Sequence, residues 1–540
     1  MKIAQVQFNS HLGDFDSNAA RILSYVQTAA EQNCDLVIFP ESALFGYLPL
    51  DMLEYRALVK KQLLSLKSIH KKMPKNISAL IGLITEAPKS SGKAYFNSAV
   101  LIRKGQKPKI FNKELLPSYD IFDEARFFAS GDLQKNIFTL HSKKFLVSIC
   151  EDIWAWGIKD YPSQYNENPI LKIKEKKLDA ILNLSASPFY SGKLNLRIQV
   201  AKKVVQRLKA PMIYTNMVGA QDEVIFDGAS FVLNKKGQML LQAPRFKEHL
   251  QIFDLSQAHS SKAVGNKKDG VAEIFSALSL GIKDFVRKTG FQKVHLGFSG
   301  GIDSAVVACL AVDALGAENV VGLALPGPHS SDLSLKLARM LAKNLKTRLH
   351  EISIQSTYET MLEELQDSLG PFDFGVLNEN LQSRLRGNIL MAYSNKENSL
   401  LLTTGNKSEL ATGYATLYGD MCGALNPLGD LLKKQVYELA EFINSRENII
   451  PKDIISRAPS AELRPNQVDQ DSLPPYDQLD QAVCNLVEKS KMPSSKVELW
   501  LQEKILKSEF KRWQSPPILK VSSHSFGRGR RMPIAAKLCR

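Results

Sequence analysis

The sequence predicts two α/β domains in tandem. Short apolar strands alternate with amphipathic helices through the first half, the alternation stops over a polar stretch at residues 256–270, and it then resumes as strand, glycine turn, helix, strand, helix and strand. A chain of 540 residues with no obvious repeat is long enough for each domain to bury a core of its own.

In the first half the strand candidates are 3–8, 35–39, 77–83, 98–102, 109–112, 145–149, 180–184, 212–216 and 229–233, with helices at 18–33 and 197–208. The pair 98–102 and 109–112 flanks a turn at Lys104 and Gly105, so the sheet is expected to be mixed. In the second half a helix carries Ile274, Leu278, Ile282 and Phe285 on one face. It is followed by a strand at 293–298, a glycine turn, a helix from Ser304 onward, a strand at 320–325, a helix at 333–345 and a strand at 348–352. This alternation predicts a doubly wound parallel sheet. The expected division is a first domain at 1–245, a linker at 246–270 and a second domain at 271–540.

Hydrophobic residues make up 44% and charged residues 23% of the chain, as in soluble globular proteins. No apolar run approaches membrane-span length, and the first nine residues alternate like a strand and lack the features of a signal peptide. A cytoplasmic protein without a membrane partner is expected. The six cysteines form no C-x-x-C pair and are too sparse for a disulfide framework. The net charge of +15 fits anionic small substrates or a basic surface. No RNA-binding or zinc-knuckle signature accompanies it, so no nucleic-acid partner is expected.

The octet Gly297, Phe298, Ser299, Gly300, Gly301, Ile302, Asp303 and Ser304 lies between a predicted strand and a predicted helix. Its amides can converge on an anion, the helix N-terminus adds free N–H groups, and glycine allows close approach of phosphate. Asp303 is placed to hold magnesium and Ser304 to cap the helix. The octet resembles the pyrophosphate loop of the ATP-pyrophosphatase superfamily, whose members adenylate a substrate for attack by a nitrogen or sulfur nucleophile.

Four further runs stand in order: 379–387 (ENLQSRLRG), 402–409 (LTTGNKSE), 413–421 (GYATLYGDM) and 459–471 (PSAELRPNQVDQD). With the octet they resemble the NAD synthetase family from about residue 275 to near the C-terminus. The resemblance implies that Thr404 and the octet bind ATP, that Asp303 and Glu409 bind Mg2+, and that Asn380, Glu409 and Lys511 contact deamido-NAD. Of Arg384 and Arg386, one is expected to meet substrate phosphate and the other an interface. The chemistry implied is attack of a nicotinate carboxylate on the α-phosphate of ATP, then displacement of AMP by ammonia. Gly429 departs from the family, which often has a lysine there, whereas Asp430 and Lys433 match.

In the first domain Glu41, Lys113 and Cys150 each stand where a predicted strand stops. Strand ends are where sites are built in α/β sheets. A thiol nucleophile, a carboxylate proton carrier and an ammonium for the oxyanion form a coherent set for opening an amide. The runs 39–47 (FPESALFGY), 113–119 (KELLPSY), 122–128 (FDEARFF) and 149–152 (ICED) resemble the nitrilase, or carbon–nitrogen hydrolase, family over about residues 1–245. The resemblance implies an αββα sandwich, a Glu41–Lys113–Cys150 triad and a further site carboxylate at Glu124. Tyr119, Ser187 and Lys193 match glutamine-binding positions of glutamine-dependent NAD synthetases. A glutaminase feeding ammonia through an internal passage is expected, with L-glutamine or ammonia as nitrogen source. Members of this family are homo-oligomers, from dimers to octamers.

The basic C-terminal runs 510–513 (FKRW) and 525–533 (SFGRGRRMP) resemble the end of the same family. Lys511 is expected to close over the dinucleotide, and the arginine run to be a solvated or interface-bound tail. The alternatives are another amidotransferase with this ATP loop, such as GMP or asparagine synthetase, and a tRNA-modifying enzyme of the same superfamily. The nitrilase-like half counts against the first, and the second rests on charge alone.

Overall fold

The computed structural model describes residues 1–157, 165–259 and 270–536. They belong to two compact units, Met1–Lys268 and Asp269–Arg540. No helix among the described residues is long and apolar enough to cross a membrane.

The first unit contains β1 (Lys2–Gln7), β2 (Leu36–Ile38), β3 (Ser78–Glu86), β4 (Tyr95–Arg103), β5 (Lys109–Asn112), β6 (Ile137–Leu140) and β7 (Lys143–Ile149). These are followed by β8 (Ala180–Ser185), β9 (Met212–Asn216), β10 (Val218–Gln221), β11 (Val224–Asp227), β12 (Phe231–Leu233), β13 (Met239–Gln242) and β14 (His249–Asp254). One sheet has the order β14-β1-β2-β3-β4-β5, a second has β13-β12-β9-β8-β7-β6, and β10 and β11 form a separate ribbon.

Side-chain alternation builds the layers. Leu36 and Ile38 join Val147, Ile149, Leu182 and Ile213 of the other sheet in one core, whereas Val37 and Phe39 pack with Ile22, Val26 and Ile69 of two helices. Those helices are Phe15–Glu31, whose N-terminus is capped by Asp14 accepting from the Ser17 N–H, and Arg56–Lys72. Helix Lys193–Leu208 covers the outer face of the second sheet through Leu194, Ala201, Val204 and Val205. The result is the expected four-layer αββα sandwich. The division of the chain needs correction. Strand β14 pairs antiparallel with β1 from Lys2 opposite Asp254 to Gln7 opposite His249, so residues 249–254 are sheet, not linker. Of the expected linker, 260–269 lie outside the described residues.

The second unit contains β15 (Val294–Gly297), β16 (Val320–Ala324), β17 (Arg348–Glu351) and β18 (Leu400–Leu401), all parallel, in the order β17-β16-β15-β18. The chain leaves β15 toward β16 and β17, then returns to β15's other edge as β18. The strand order therefore reverses at β15, the kind of point where α/β sheets open a crevice for ligands. Helix Ile302–Leu315 buries Ala305, Val306, Val307, Ala308, Leu310 and Ala311.

His295 on β15 is fully buried. Its Nε2 lies 2.9 Å from the Leu390 carbonyl oxygen and its Nδ1 lies 3.0 Å from Ser399 Oγ. A carbonyl only accepts, so Nε2 carries the hydrogen and Nδ1 accepts from the serine. Burial lowers the pKa from 6.5 to about 4, against an opposing pull from the Leu390 carbonyl. The unfolded chain therefore binds a proton that the folded chain refuses. The stability this gives is complete above pH 6.5 and is lost as pH falls toward 4, by about 1.4 kcal/mol for each pH unit between those values. Denaturant unfolding of the wild type should lose more stability across that window than His295→Gln, by about 2–3 kcal/mol. Parallel losses in the two chains would refute this assignment.

Candidate active sites

In the first unit the site grows from strand ends. Strand β7 stops at Ile149 and the chain turns sharply at Cys150, whose φ of +42° is in the left-handed region. Asp152 holds that turn by accepting from the Ile149 N–H at 2.8 Å, the Glu114 N–H at 2.9 Å and the Leu115 N–H at 3.0 Å. One carboxylate thus ties the cysteine turn to the residues just after Lys113. Glu41 follows β2 beside Gly82, where a Cβ would fall 2.2 Å from the Pro40 oxygen, so only glycine lets that backbone pass.

These ends converge on one ammonium. Lys113 Nζ is 2.7 Å from Glu41 Oε1 and 2.8 Å from Glu124 Oε1, and all three side chains are buried. Glu41 also accepts from Asn97 Nδ2 at 2.7 Å and the Ala186 N–H at 2.8 Å, and Glu124 accepts from the Tyr47 hydroxyl at 2.6 Å. Burial raises the Cys150 thiol well above its usual range, Glu41's charge adds to this, and Lys113 opposes it. Burial works against the Lys113 charge, but Glu124 and Glu41 outweigh it and hold the ammonium protonated. Burial pushes Glu124 up to about 7 in spite of Lys113. The resting site therefore has a neutral thiol beside a hydrogen-bonded carboxylate and a fixed cation. Glu41, Lys113, Cys150 and Glu124, all named from sequence, come together.

The residues expected to hold glutamine line the same region. The Tyr119 hydroxyl donates to Glu151 Oε1 at 2.8 Å. Lys193 Nζ sits 4.1 Å from the ring centre of Trp154 and 5.0 Å from that of Tyr190. Its pKa is lowered to about 8 by burial and by Arg197, with Glu151 pulling it back up. Ser187 is fixed by its neighbours. Its N–H donates to Asn216 Oδ1 at 2.9 Å, and Arg197 Nε donates to its Oγ at 3.0 Å. Arg197 is itself fully buried against Asp227 at 2.6 Å. Sequence reasoning gave no role to Tyr47, Asn97, Glu151, Asp152, Arg197 or Asn216. Tyr47, Glu151 and Asp152 lie inside the runs that carried the resemblance, so position in those runs was their signal.

In the second unit Gly297 ends β15 and Gly301 precedes helix Ile302–Leu315. Gly300 has φ +76°, and a Cβ there would meet the Ser334 oxygen at 2.5 Å. The helix begins two residues earlier than expected, so Ser304 is not its cap. It sits in the first turn, donates to the Gly301 oxygen at 2.9 Å and lies 3.1 Å from Ser299 Oγ. The first-turn N–H groups have no partner within the helix, the kind of end that can face an anion. A cavity of about 300 Å³ opens beside this loop, lined by Ser299, Gly301, Thr404, Arg386, Asp420 and Ser460 among others.

Asp303 and Glu409 meet at a residue that sequence reasoning matched to the family but gave no role. Lys433 Nζ is 2.6 Å from Asp303 and 3.3 Å from Glu409. Asn406 braces both, donating to Asp303 Oδ1 at 3.0 Å and accepting from the Glu409 N–H at 3.0 Å. Burial raises Glu409 to about 8, Lys433 opposes this, and Asp303 and Asp469 add to it. Among the described residues no group of three His, Cys, Asp or Glu is placed to hold a metal ion. The two carboxylates nevertheless bracket a single cation position with hard oxygens, and magnesium commonly takes one or two carboxylates together with substrate phosphates.

Asn380 and Lys511 are gathered elsewhere, on the loop after Glu409's helix. Asn380 Oδ1 accepts from Thr416 Oγ1 at 2.7 Å, and Lys511 Nζ donates to the Gly413 and Ala415 oxygens at 2.8 and 2.7 Å. Glu409 faces the phosphate loop and not these two. Arg386 is the cavity arginine, donating to the Leu325 oxygen at 2.9 Å, whereas Arg384 is exposed and reaches the Leu417 oxygen. A Cβ on Gly429 would fall 2.9 Å from Ile518, so a side chain there requires a shift. Of the arginine run, Arg528 and Arg531 are exposed, whereas Arg530 is not solvated but pairs with Glu509 at 2.7 Å over the Phe526 ring.

Residues 2–263 match the carbon-nitrogen hydrolase family model and residues 274–515 match the NAD synthase model. A glutamine-dependent NAD(+) synthetase of Synechocystis is 43% identical, with 99% of this chain and 98% of that protein aligned. One from Acinetobacter baylyi is 37% identical over the same shares. The solved structure of glutamine-dependent NAD+ synthetase from Acinetobacter baumannii in complex with ADP is 34% identical. It superposes with a TM-score of 0.76 and covers 99% of this chain and 98% of its own.

The raised thiol makes a direct prediction. Without substrate, alkylation of Cys150 by iodoacetamide, followed by peptide mass spectrometry, should accelerate with pH without levelling off below pH 9.0. A plateau near neutrality would show a resting thiolate and contradict the electrostatics above.

Proposed function

The chain belongs to the glutamine-dependent NAD(+) synthetases, and from that footing we propose which of its residues make NAD from deamido-NAD, ATP and glutamine. As a ligase it takes its nitrogen from the glutamine amide. The observation that carries the residue assignment is that one chain holds both a buried Glu41–Lys113–Glu124 set at Cys150 and a phosphate loop with Asp303, Lys433 and Glu409.

In the first unit Cys150 Sγ attacks the side-chain amide carbon of glutamine while Glu41 takes the thiol proton. Lys113 stabilises the oxyanion. Glu41 returns the proton to the departing nitrogen, the C–N bond breaks, and ammonia leaves a thioester. Water, deprotonated by Glu41, then opens the thioester to glutamate and restores the thiol. Glu151 with Tyr119, together with Ser187 and Lys193, holds the amino-acid end of glutamine. Their paired charges suit an ammonium and a carboxylate, and this supports the assignment.

In the second unit the octet 297–304 and Thr404 bind ATP, Asn380 and Lys511 orient deamido-NAD from the 413–416 loop, and Glu409 meets it from the side of the phosphate loop. The nicotinate carboxylate attacks the α-phosphorus, diphosphate leaves, and ammonia displaces AMP from the mixed anhydride to give the amide. Asp303 and Glu409 are the residues that would hold magnesium. When bound it would supply positive charge against the phosphates. Lys433, which lies between the two carboxylates, would add a further positive charge beside the phosphates. Ammonia passes internally from the first unit to the second.

Purified chains should divide the labour as follows. Cys150→Ala loses glutamine-dependent NAD synthesis by about 10⁴-fold or more and keeps ammonium-dependent synthesis. Asp303→Asn loses both by about 10²–10³-fold. Amide-labelled glutamine mixed with unlabelled ammonium should yield mostly labelled NAD. Equal dilution of the label would exclude internal transfer, and an active Cys150→Ala with glutamine would overturn the nucleophile.

A further inference from the structure

One wall of the nucleotide cavity is the segment 457–463, which follows helix Lys452–Ser456. Pro459 stiffens it locally, and one side chain ties it to helix Asp332–Leu345. Glu462 Oε1 accepts from Ser331 Oγ at 2.9 Å, Ser334 Oγ at 2.7 Å and an Arg457 amino group at 2.8 Å. Its Oε2 accepts from the Ser331 N–H at 3.2 Å. Arg457 also donates to Ser334 Oγ at 2.9 Å. The carboxylate therefore closes a ring of four donors from two distant segments.

The position of the ring gives it meaning. Ser331 and Ser334 form the first turn of helix Asp332–Leu345, where a fixed negative charge is favoured by the helix end. The Ser334 backbone lies against Gly300 of the phosphate loop so closely that a Cβ there would meet its oxygen at 2.5 Å. Glu462 itself has φ +50°, a conformation that a residue with a side chain keeps only when its surroundings hold it there. Burial works against its charge, but the hydrogen bonds from Ser334, Ser331 and Arg457 outweigh this and keep it ionised. Behind it the segment is knit by Ser460 donating to the Gln467 oxygen at 2.5 Å and Gln382 donating to the Leu463 oxygen at 2.9 Å.

We propose that Glu462 is a positioning residue for ATP: it locks the 457–463 wall onto the helix that backs the phosphate loop and so sets the width of the nucleotide cavity. This rests on the reading of that cavity as the ATP site. Glu462 does not reach the reacting atoms through its own oxygens, because these are taken up by protein donors. Its loss therefore acts on ATP affinity and leaves the chemical groups Asp303, Glu409 and Lys433 in place.

The test is steady-state NAD synthesis with saturating ammonium and deamido-NAD, varying ATP, on the full chain. Glu462→Gln keeps the shape but presents an amide to Arg457. The Michaelis constant for ATP should rise about tenfold while kcat stays within about twofold. Ser334→Ala should move the same constant in the same direction. The double variant should fall short of the product of the two effects, since both act through one contact. An unchanged ATP constant in a Glu462→Gln chain that melts like wild type overturns the proposal. So does a loss confined to kcat. If Glu462→Gln does not fold, Ser334→Ala decides on the same criteria. Gly300→Ala separates the two levels of inference. If that folded variant leaves the ATP constant unchanged, the cavity is not the ATP site. If it raises the constant while Glu462→Gln does not, only the lock fails.

Discussion

Lys113 lies fully buried with its ammonium shared between Glu41 and Glu124, and this arrangement recurs. Lys433 is held between Asp303 and Glu409. Lys407 is held between Asp430 at 3.0 Å and Glu488 at 2.6 Å, with Ser522 and the His524 oxygen completing its shell. An unpaired buried charge costs several kcal/mol, and removing one partner of a buried pair costs about 3–5 kcal/mol. Each lysine thus fixes segments far apart in the chain, because displacement of either carboxylate would leave a bare charge. Two of the three lie in the candidate active sites. The third ties the segment at Asp430 to the stretch at Val521 and Ser522, whose N–H groups donate to Asp430 Oδ2.

The strand topology supplies the ends that these charges join. In the first unit Glu41 follows β2, which is parallel to both of its neighbours, and Cys150 follows β7, which is parallel to β8. In the second unit the phosphate loop leaves β15 where the strand order reverses. Parallel pairing gathers C-terminal strand ends along one edge of a sheet, so reactive residues from distant positions arrive together. Gly82 and Gly300 then permit backbone approaches that a Cβ would block.

This explains what the sequence disclosed. Cys150, Glu41, Lys113 and the octet are local: each reads as a short run with a reactive residue at a strand end or a glycine turn. The αββα layering is legible because Leu36, Val37, Ile38 and Phe39 alternate between two cores while remaining apolar throughout. Strand β14 is not legible, because most of its residues are only half-buried and its mixed sequence reads as linker. Lys433 can be matched but not given its role, since its partner Asp303 is 130 residues away. Arg530 reads as a solvated tail because its partner, Glu509, is part of a four-residue helix with no pattern of its own. Ser304 reads as a cap because a serine at a helix start usually is one. Here Gly301 already occupies that position.

The two candidate sites meet substrates of different charge with the same arrangement, a lysine between two carboxylates. The glutamine side-chain amide is neutral, and the first site meets it with its cation already committed to two carboxylates and its thiol neutral. In the proposed mechanism the proton transfer from the thiol to Glu41 moves negative charge from the carboxylate toward the substrate oxygen, and Lys113 is the group proposed to stabilise it there. Burial raises Glu124, one of the two carboxylates facing this ammonium, to about 7, so the set carries less negative charge than two ionised carboxylates would give it. ATP and deamido-NAD bring several negative charges, and in the second unit Lys433 is committed to two carboxylates as Lys113 is. Helix N–H groups and Arg386 border the cavity, and the carboxylates that hold Lys433 are the kind of ligands a divalent cation takes over. A cation fixed at the site suits a reaction in which negative charge moves onto a substrate oxygen. Cationic groups bordering a cavity suit reactants that arrive negatively charged and would otherwise repel each other.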